Sequence, residues 1–206
     1  NGTDFGSPDI KLVNKQRIAV LKGEGVSSLS YGAIWHFFET ELKYPLTSID
    51  TDDFRTSSLE KFDVLILPET YYWEALDEGN IDTLKSWIQK GGKLIAMGKS
   101  VDLFNDKEGF GISTNSEEEK EEAKEDEEDV DSKLQPYDQR EIYNVKNFIT
   151  GSVYKVTIDN THPMAFGYND IYYSLKQGNQ SYKFLDSGYN VGYIKGDAVS
   201  VSGFSG

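Results

Sequence analysis

Gly91-Gly92-Lys93-Leu94-Ile95-Ala96-Met97-Gly98-Lys99-Ser100-Val101-Asp102-Leu103-Phe104 reads as a helix stop, a buried strand, a sharp turn and the first turn of a new helix. In an open α/β sheet the carboxyl end of such a strand is where a nucleophile or a ligand sits. The turn residues are therefore the first functional question. They are Gly98, Lys99 and Ser100, and the 206-residue chain has no cysteine. The stretch looks like an enzyme scaffold whose reactive position is empty.

Upstream of it the chain alternates. Arg17-Ile18-Ala19-Val20-Leu21 is a short apolar run, the pattern of a parallel strand buried on both faces. Lys22-Gly23-Glu24-Gly25-Val26 makes a glycine-rich loop, and Ser27, Ser28 and Ser30 offer helix caps. A helix follows over 31–42, with Ile34, Phe38 and Leu42 on one stripe and Trp35 beside them. Residues 46–50 fit a second strand, and 59–62 a short helical turn. Asp63-Val64-Leu65-Ile66-Leu67-Pro68 is the clearest buried strand, closed by a proline that cannot extend a central ladder. The aromatic loop Tyr71-Tyr72-Trp73 comes next. Asn80 then caps a helix striped by Ile81, Leu84, Trp87 and Ile88, which Gly91 and Gly92 end. Residues 17–104 thus predict β-α-β-(α)-β-α-β-α, a parallel sheet with helices on both faces.

Beyond 104 the texture changes. The net charge is −14, and Glu117–Asp131 holds 11 acidic residues and two lysines, so −9 of it lies there and −5 elsewhere. Residues 111–136 lack apolar periodicity and predict a solvated acidic insertion. Residues 141–148 fit a helix with Ile142, Val145 and Ile149 inward. After Gly151 the pattern turns β: strands at 152–158 and 172–175, a hairpin over 182–194, and one more strand over 199–206. Residues 1–16 are polar and read as a linker. The start Asn1-Gly2-Thr3-Asp4, without an initiator Met or a signal peptide, reads as mid-protein. No 18-residue apolar run exists to span a membrane. The acidic balance argues against a nucleic-acid partner.

Three segments carry a resemblance: the opening stretch, Asp63–Pro68, and Ile158-Asp159-Asn160-Thr161-His162-Pro163-Met164-Ala165-Phe166-Gly167. Together they resemble the class I glutamine amidotransferase-like superfamily, and within it the trehalose-utilisation-type branch. More closely still, residues 17–206 resemble the domain that follows the peptidase domain in bacterial zinc carboxypeptidase-like proteins. The resemblance implies one domain, a flavodoxin-like three-layer sandwich with a mainly parallel central sheet and a β-rich second half. It also implies more chain after Gly206, a peptidase domain of the same polypeptide as partner, and a secreted or periplasmic location. Active members carry a Cys on a Gly-x-Cys-x-Gly elbow and a His and a Glu in His-Pro-Glu. Here Gly98 falls at the Cys position and Ser100 at the second Gly. His162 keeps the His, and Met164 replaces the Glu. A base without a nucleophile has nothing to activate.

The remaining motifs weigh toward structure. Ser100 beside Lys99 suits a hydroxyl cap better than a nucleophile. His36-Phe37-Phe38-Glu39 matches the His-x-x-Glu of zinc carboxypeptidases, with His162 far downstream, but His36 points away from the buried stripe, and a zinc site needs three converging ligands. Gly23-Glu24-Gly25 is half of a phosphate-binding fingerprint, with Ser28 where the third glycine belongs and Glu24 repelling an anion. The acidic run lacks the spacing of a calcium loop. The expectation is a non-catalytic domain with neither metal nor cofactor. Gly23, Glu24, Gly25, Glu69, Tyr71, Tyr72, Trp73, Gly98, Lys99, Ser100 and His162 are its candidate crevice lining. Two alternatives stay open. One is a small-ligand site, for a sugar for example, or a hydrolase in the same crevice; the other is a structural spacer or oligomerisation domain.

Overall fold

The computed structural model describes residues 6, 14–54, 58–71, 78–115, 137, 149–196 and 198–205. The acidic run, the helix expected over 141–148, and Tyr72 and Trp73 lie outside the described residues. The chain forms two compact units, Asn1–Phe104 and Asn105–Gly206.

The first unit is the predicted α/β alternation. Strand β1 (Ile18–Lys22) leads through the glycine loop to α1 (Ser28–His36), which continues through a π-helical turn, Phe37–Glu41. Then come β2 (Leu46–Asp50), a 3-10 turn (Leu59–Lys61), β3 (Val64–Leu67), α2 (Glu78–Gln89), β4 (Lys93–Ala96) and a 3-10 helix (Gly98–Phe104). The strands are parallel in the order β2-β1-β3-β4. From β1 the chain crosses one way to β2, and from β3 it crosses the other way to β4. Right-handed crossovers in opposite directions place α1 and α2 on opposite faces, which makes three layers.

The core follows from the alternation of side chains along the strands. Val20, Val64 and Ile66 pack under Ile34 of α1, with Ile18, Tyr31, Phe38 and Leu46 around them. Ala19, Leu21, Leu65 and Leu67 point to the opposite face and are fully buried. Leu84 and Trp87 of α2 are buried as well. The Trp87 indole donates to the Phe62 carbonyl at 3.2 Å, and its ring lies where a Cβ on Gly92 would stand.

Three expectations need correction here, the first being that Asn80 lies inside α2, which starts at Glu78, rather than capping it. Leu42 is half exposed rather than on the buried stripe. Its amide bonds to Phe37 five residues back, and this wider turn rotates it off the face that Ile34 and Phe38 share. The strand at 93–96 is half buried: Leu94 and Ala96 are partly covered, whereas Ile95 is exposed. Leu94 and Ala96 pair in register with Leu65 and Leu67, on the face of α2. Ile95 pairs with Ile66 on the face of α1, and α1 crosses from β1 to β2, away from β4.

The second unit is antiparallel. β5 (Gly151–Ile158) is its centre, with β6 (Ile171–Lys176) along one edge. β7 (Gly192–Tyr193) and β8 (Ser202–Phe204) share the other edge, β8 beside the start of β5 and β7 beside its end. Gly203 has φ +91° and pairs so closely that a Cβ would meet the Gly151 carbonyl, so only glycine fits. The expected hairpin over 182–194 is not formed. Tyr182 bridges instead to Thr114, and the Lys183 amide bonds to Ser113. The Asn190 side chain closes the loop by bonding both the amide and the carbonyl of Leu185, imitating a strand partner.

Candidate functional site

The strand order reverses between β1 and β3, and the crevice of an open α/β sheet opens at the carboxyl ends of the strands at such a point. Here the two loops that would flank it are sewn together. Val26 and Thr70 form an antiparallel bridge, the Ser27 amide donates to the Glu69 carbonyl at 2.8 Å, and the Tyr71 amide donates to Gly25 at 2.9 Å. The Ser30 hydroxyl accepts the Glu69 amide at 3.0 Å. The Ser27 side chain caps α1 by accepting the Ser30 amide. The amides of Val26, Ser27, Ser30 and Tyr31 are therefore donated inside the protein. Gly23-Glu24-Gly25 is a βα turn rather than a phosphate cradle. Gly23 in turn lies against Asp50 and Thr51, where Lys22 pairs with Asp50 at 2.8 Å. That bond raises the Lys22 pKa and lowers that of Asp50.

The elbow stands beside these loops. Gly98, between β4 and the 3-10 helix, takes φ +57°, in the left-handed region that glycine tolerates. A Cβ placed on it would lie 3.2–3.3 Å from the Glu69 side chain. Ser100 is fully buried, and its hydroxyl donates to the Pro68 carbonyl. The Thr70 hydroxyl lies 3.3 Å from the Ser100 oxygen. With the only Ser100 proton on a carbonyl, Thr70 is the donor of that second bond. The expected hydroxyl cap is thus corrected: Ser100 ties the elbow to the loop after β3. Lys99 is exposed, its ammonium 6.0 Å from the Tyr71 ring centroid, and Tyr71 is exposed too.

The candidate lining is only partly assembled. Gly25, Glu69, Tyr71, Gly98, Lys99 and Ser100 come together at the carboxyl ends of β1, β3 and β4. His162 belongs to the second unit, where it caps the 3-10 turn Pro163–Ala165. Its Nδ1 accepts the Met164 amide at 3.2 Å, which puts the ring proton of the neutral form on Nε2. The ring leans on Tyr189 with centroids 4.8 Å apart. Just before it, Asp159 accepts the amide and hydroxyl of Thr161, and these bonds lower its pKa. Met164, two residues after His162, is 80% exposed. His36 is exposed at the end of α1, and among the described residues no three His, Cys, Asp or Glu side chains gather as metal ligands. The bracing roles of Ser30, Pro68 and Thr70 were not legible in the sequence, because a hydroxyl or carbonyl that braces two loops leaves no local pattern.

No family model matches the chain, and no curated protein matches it. Among solved structures it is similar to a glutamine amidotransferase from Thermotoga maritima, with a TM-score of 0.55 over 87% of this chain and 67% of that one. The fold resembles that of this glutamine amidotransferase. At 10% identity the likeness is one of fold. The flavodoxin-like α/β architecture expected from the sequence is therefore present.

Proposed function

We propose that this is a non-catalytic amidotransferase-like domain, an accessory or interaction module of a secreted zinc carboxypeptidase-like protein. The observation that carries the first part is the elbow. Its turn keeps the left-handed backbone of a nucleophile position, yet the residue is glycine, and the neighbouring hydroxyl of Ser100 is buried and bonded to a carbonyl. A nucleophilic serine needs a base at its proton, not a carbonyl. The bonds between the two loops at the switch point support the same reading, since they use backbone groups that a ligand there would otherwise take. The parent protein and its location rest on the sequence resemblance of residues 17–206.

The test is ammonia release from glutamine by the purified chain. The expected result is no saturable release. Saturable release that Ser100→Ala abolishes would overturn the reading.

One observation favours a second reading, a small-ligand site. Tyr71 is 63% exposed with the Lys99 ammonium above it, a surface on which a sugar ring can stack. Thermal shifts with neutral sugars decide between the two. Saturable stabilisation that Tyr71→Ala removes supports the ligand site, and no stabilisation supports the inert module.

A further inference from the structure

The second unit carries a groove that the proposed function does not use. It holds about 440 Å³ and is lined by Lys155, Thr157, Asp170, Ile171, Lys195, Ala198, Val199 and Val201. Thr157 and Ile171 are cross-strand partners on β5 and β6 and share one face of the sheet, as Lys155 and Tyr173 do. The opposite wall is fixed to the sheet, because the Val201 amide donates to the Val153 carbonyl at 2.8 Å. The Ala198 amide turns back onto the Lys195 carbonyl at 3.0 Å.

Charge distinguishes this groove. In a chain of net charge −14, two lysines flank one apolar trough. Neither ammonium is in an ion pair among the described residues. The cavity beside Trp87 is the contrast. It is also lined by two cations, Arg17 and Lys90, but each is paired, Arg17 with Asp63 and Lys90 with Glu60. The floor and walls of the second-unit groove are apolar at Ile171, Val199 and Val201, and Val199 and Val201 are exposed. Its size is that of ordinary small-molecule sites, which combine an apolar lining with a few placed polar groups.

We propose that this groove binds a small carboxylate with an apolar body, the carboxylate toward Lys155 and Lys195 and the hydrocarbon against Ile171, Val199 and Val201. Asp170, also in the lining, opposes the anion and weakens its binding.

The experiment titrates the full chain with sodium octanoate, sodium acetate and 1-octanol, and follows backbone amide NMR shifts. Octanoate gives saturable shifts at Lys155, Thr157, Ile171, Lys195 and Val201, and acetate and octanol bind at least about tenfold more weakly. The double variant K155Q/K195Q weakens octanoate by about tenfold, as two partly exposed charge contacts allow. D170N, which leaves the Asp170 backbone carbonyl bonded to the Ile158 amide, tightens it. The proposal is overturned if octanoate gives no saturable shift at these amides. It is equally overturned if octanol or K155Q/K195Q matches the octanoate affinity of the native chain, or if D170N weakens binding. Unchanged amide shifts in β5 and β6 of the variants show that the unit still folds. None of these outcomes depends on whether the elbow is catalytic.

Discussion

Ser100 has one hydroxyl proton, and the Pro68 carbonyl takes it. The bond lies where solvent cannot replace it, so the cost of losing it is that of a stranded buried acceptor. Ser100→Ala is expected to destabilise the first unit by about 1–3 kcal/mol, read from the midpoint of urea unfolding. A change below a few tenths of a kcal/mol contradicts the bracing role. Gly98 is constrained by its backbone instead. Alanine there meets the left-handed penalty of about 1 kcal/mol, and it presses on Glu69, whose Cγ and Cδ can rotate away but whose Cβ sits on backbone bonded to Ser27 and Ser30. The sequence revealed the glycine and the missing cysteine directly. It did not reveal the Ser100 bond, because the carbonyl partner lies 32 residues earlier and only the pairing of β3 with β4 brings it near.

Elements show the same division between local and distant causes. The strands at 18–22 and 64–67 were legible because a strand buried on both faces is continuously apolar, and α2 was legible from its 3.6-residue stripe. The π-turn after α1 was not, since nothing in Phe37–Glu41 departs from a helical pattern. The hairpin over 182–194 failed because the Asn190 side chain supplies the hydrogen bonds that a partner strand would have supplied. Two predictions belong to this scale. Gly92→Ala puts a Cβ where the Trp87 ring lies, so α2 must shift. The expected cost is about 1–3 kcal/mol, with a change in Trp fluorescence. The second concerns the join of β1 to β3, where Asp63 accepts the Arg17 amide at 2.7 Å and its guanidinium at 2.9 and 3.2 Å. These bonds lower the Asp63 pKa from 3.8 to about 2. A lowered carboxyl pKa means that its stabilising contribution is complete above the unfolded value and is lost as pH falls through the folded one. Stability should therefore drop between pH 3.8 and about 2, and Asp63→Asn should flatten that part of the pH profile. An identical acid limb in the variant contradicts the assignment.

For the whole molecule, charge is the property that sequence gives most directly. Of the −14, the segment Glu117–Asp131 carries −9. The chain should not retain duplex DNA even at low salt, where phosphate attraction is strongest; salt-sensitive binding in a gel-shift titration contradicts this. The change of texture after residue 104, from alternating strands and helices to mainly strands, was visible in the sequence, whereas the two compact units were not, since residues 17–206 read as one domain. The sewn switch point was not visible. A single bridge between Val26 and Thr70 depends on two loops that are far apart in sequence and meet only in the fold.

The central claim is that the elbow bears no reactive group, and electrophile labelling tests it most directly. The native chain is incubated with a fluorophosphonate and, separately, with a glutamine-analogue electrophile, and its intact mass is measured. The account predicts an unchanged mass with both reagents. A stoichiometric adduct that maps to Ser100 would contradict it.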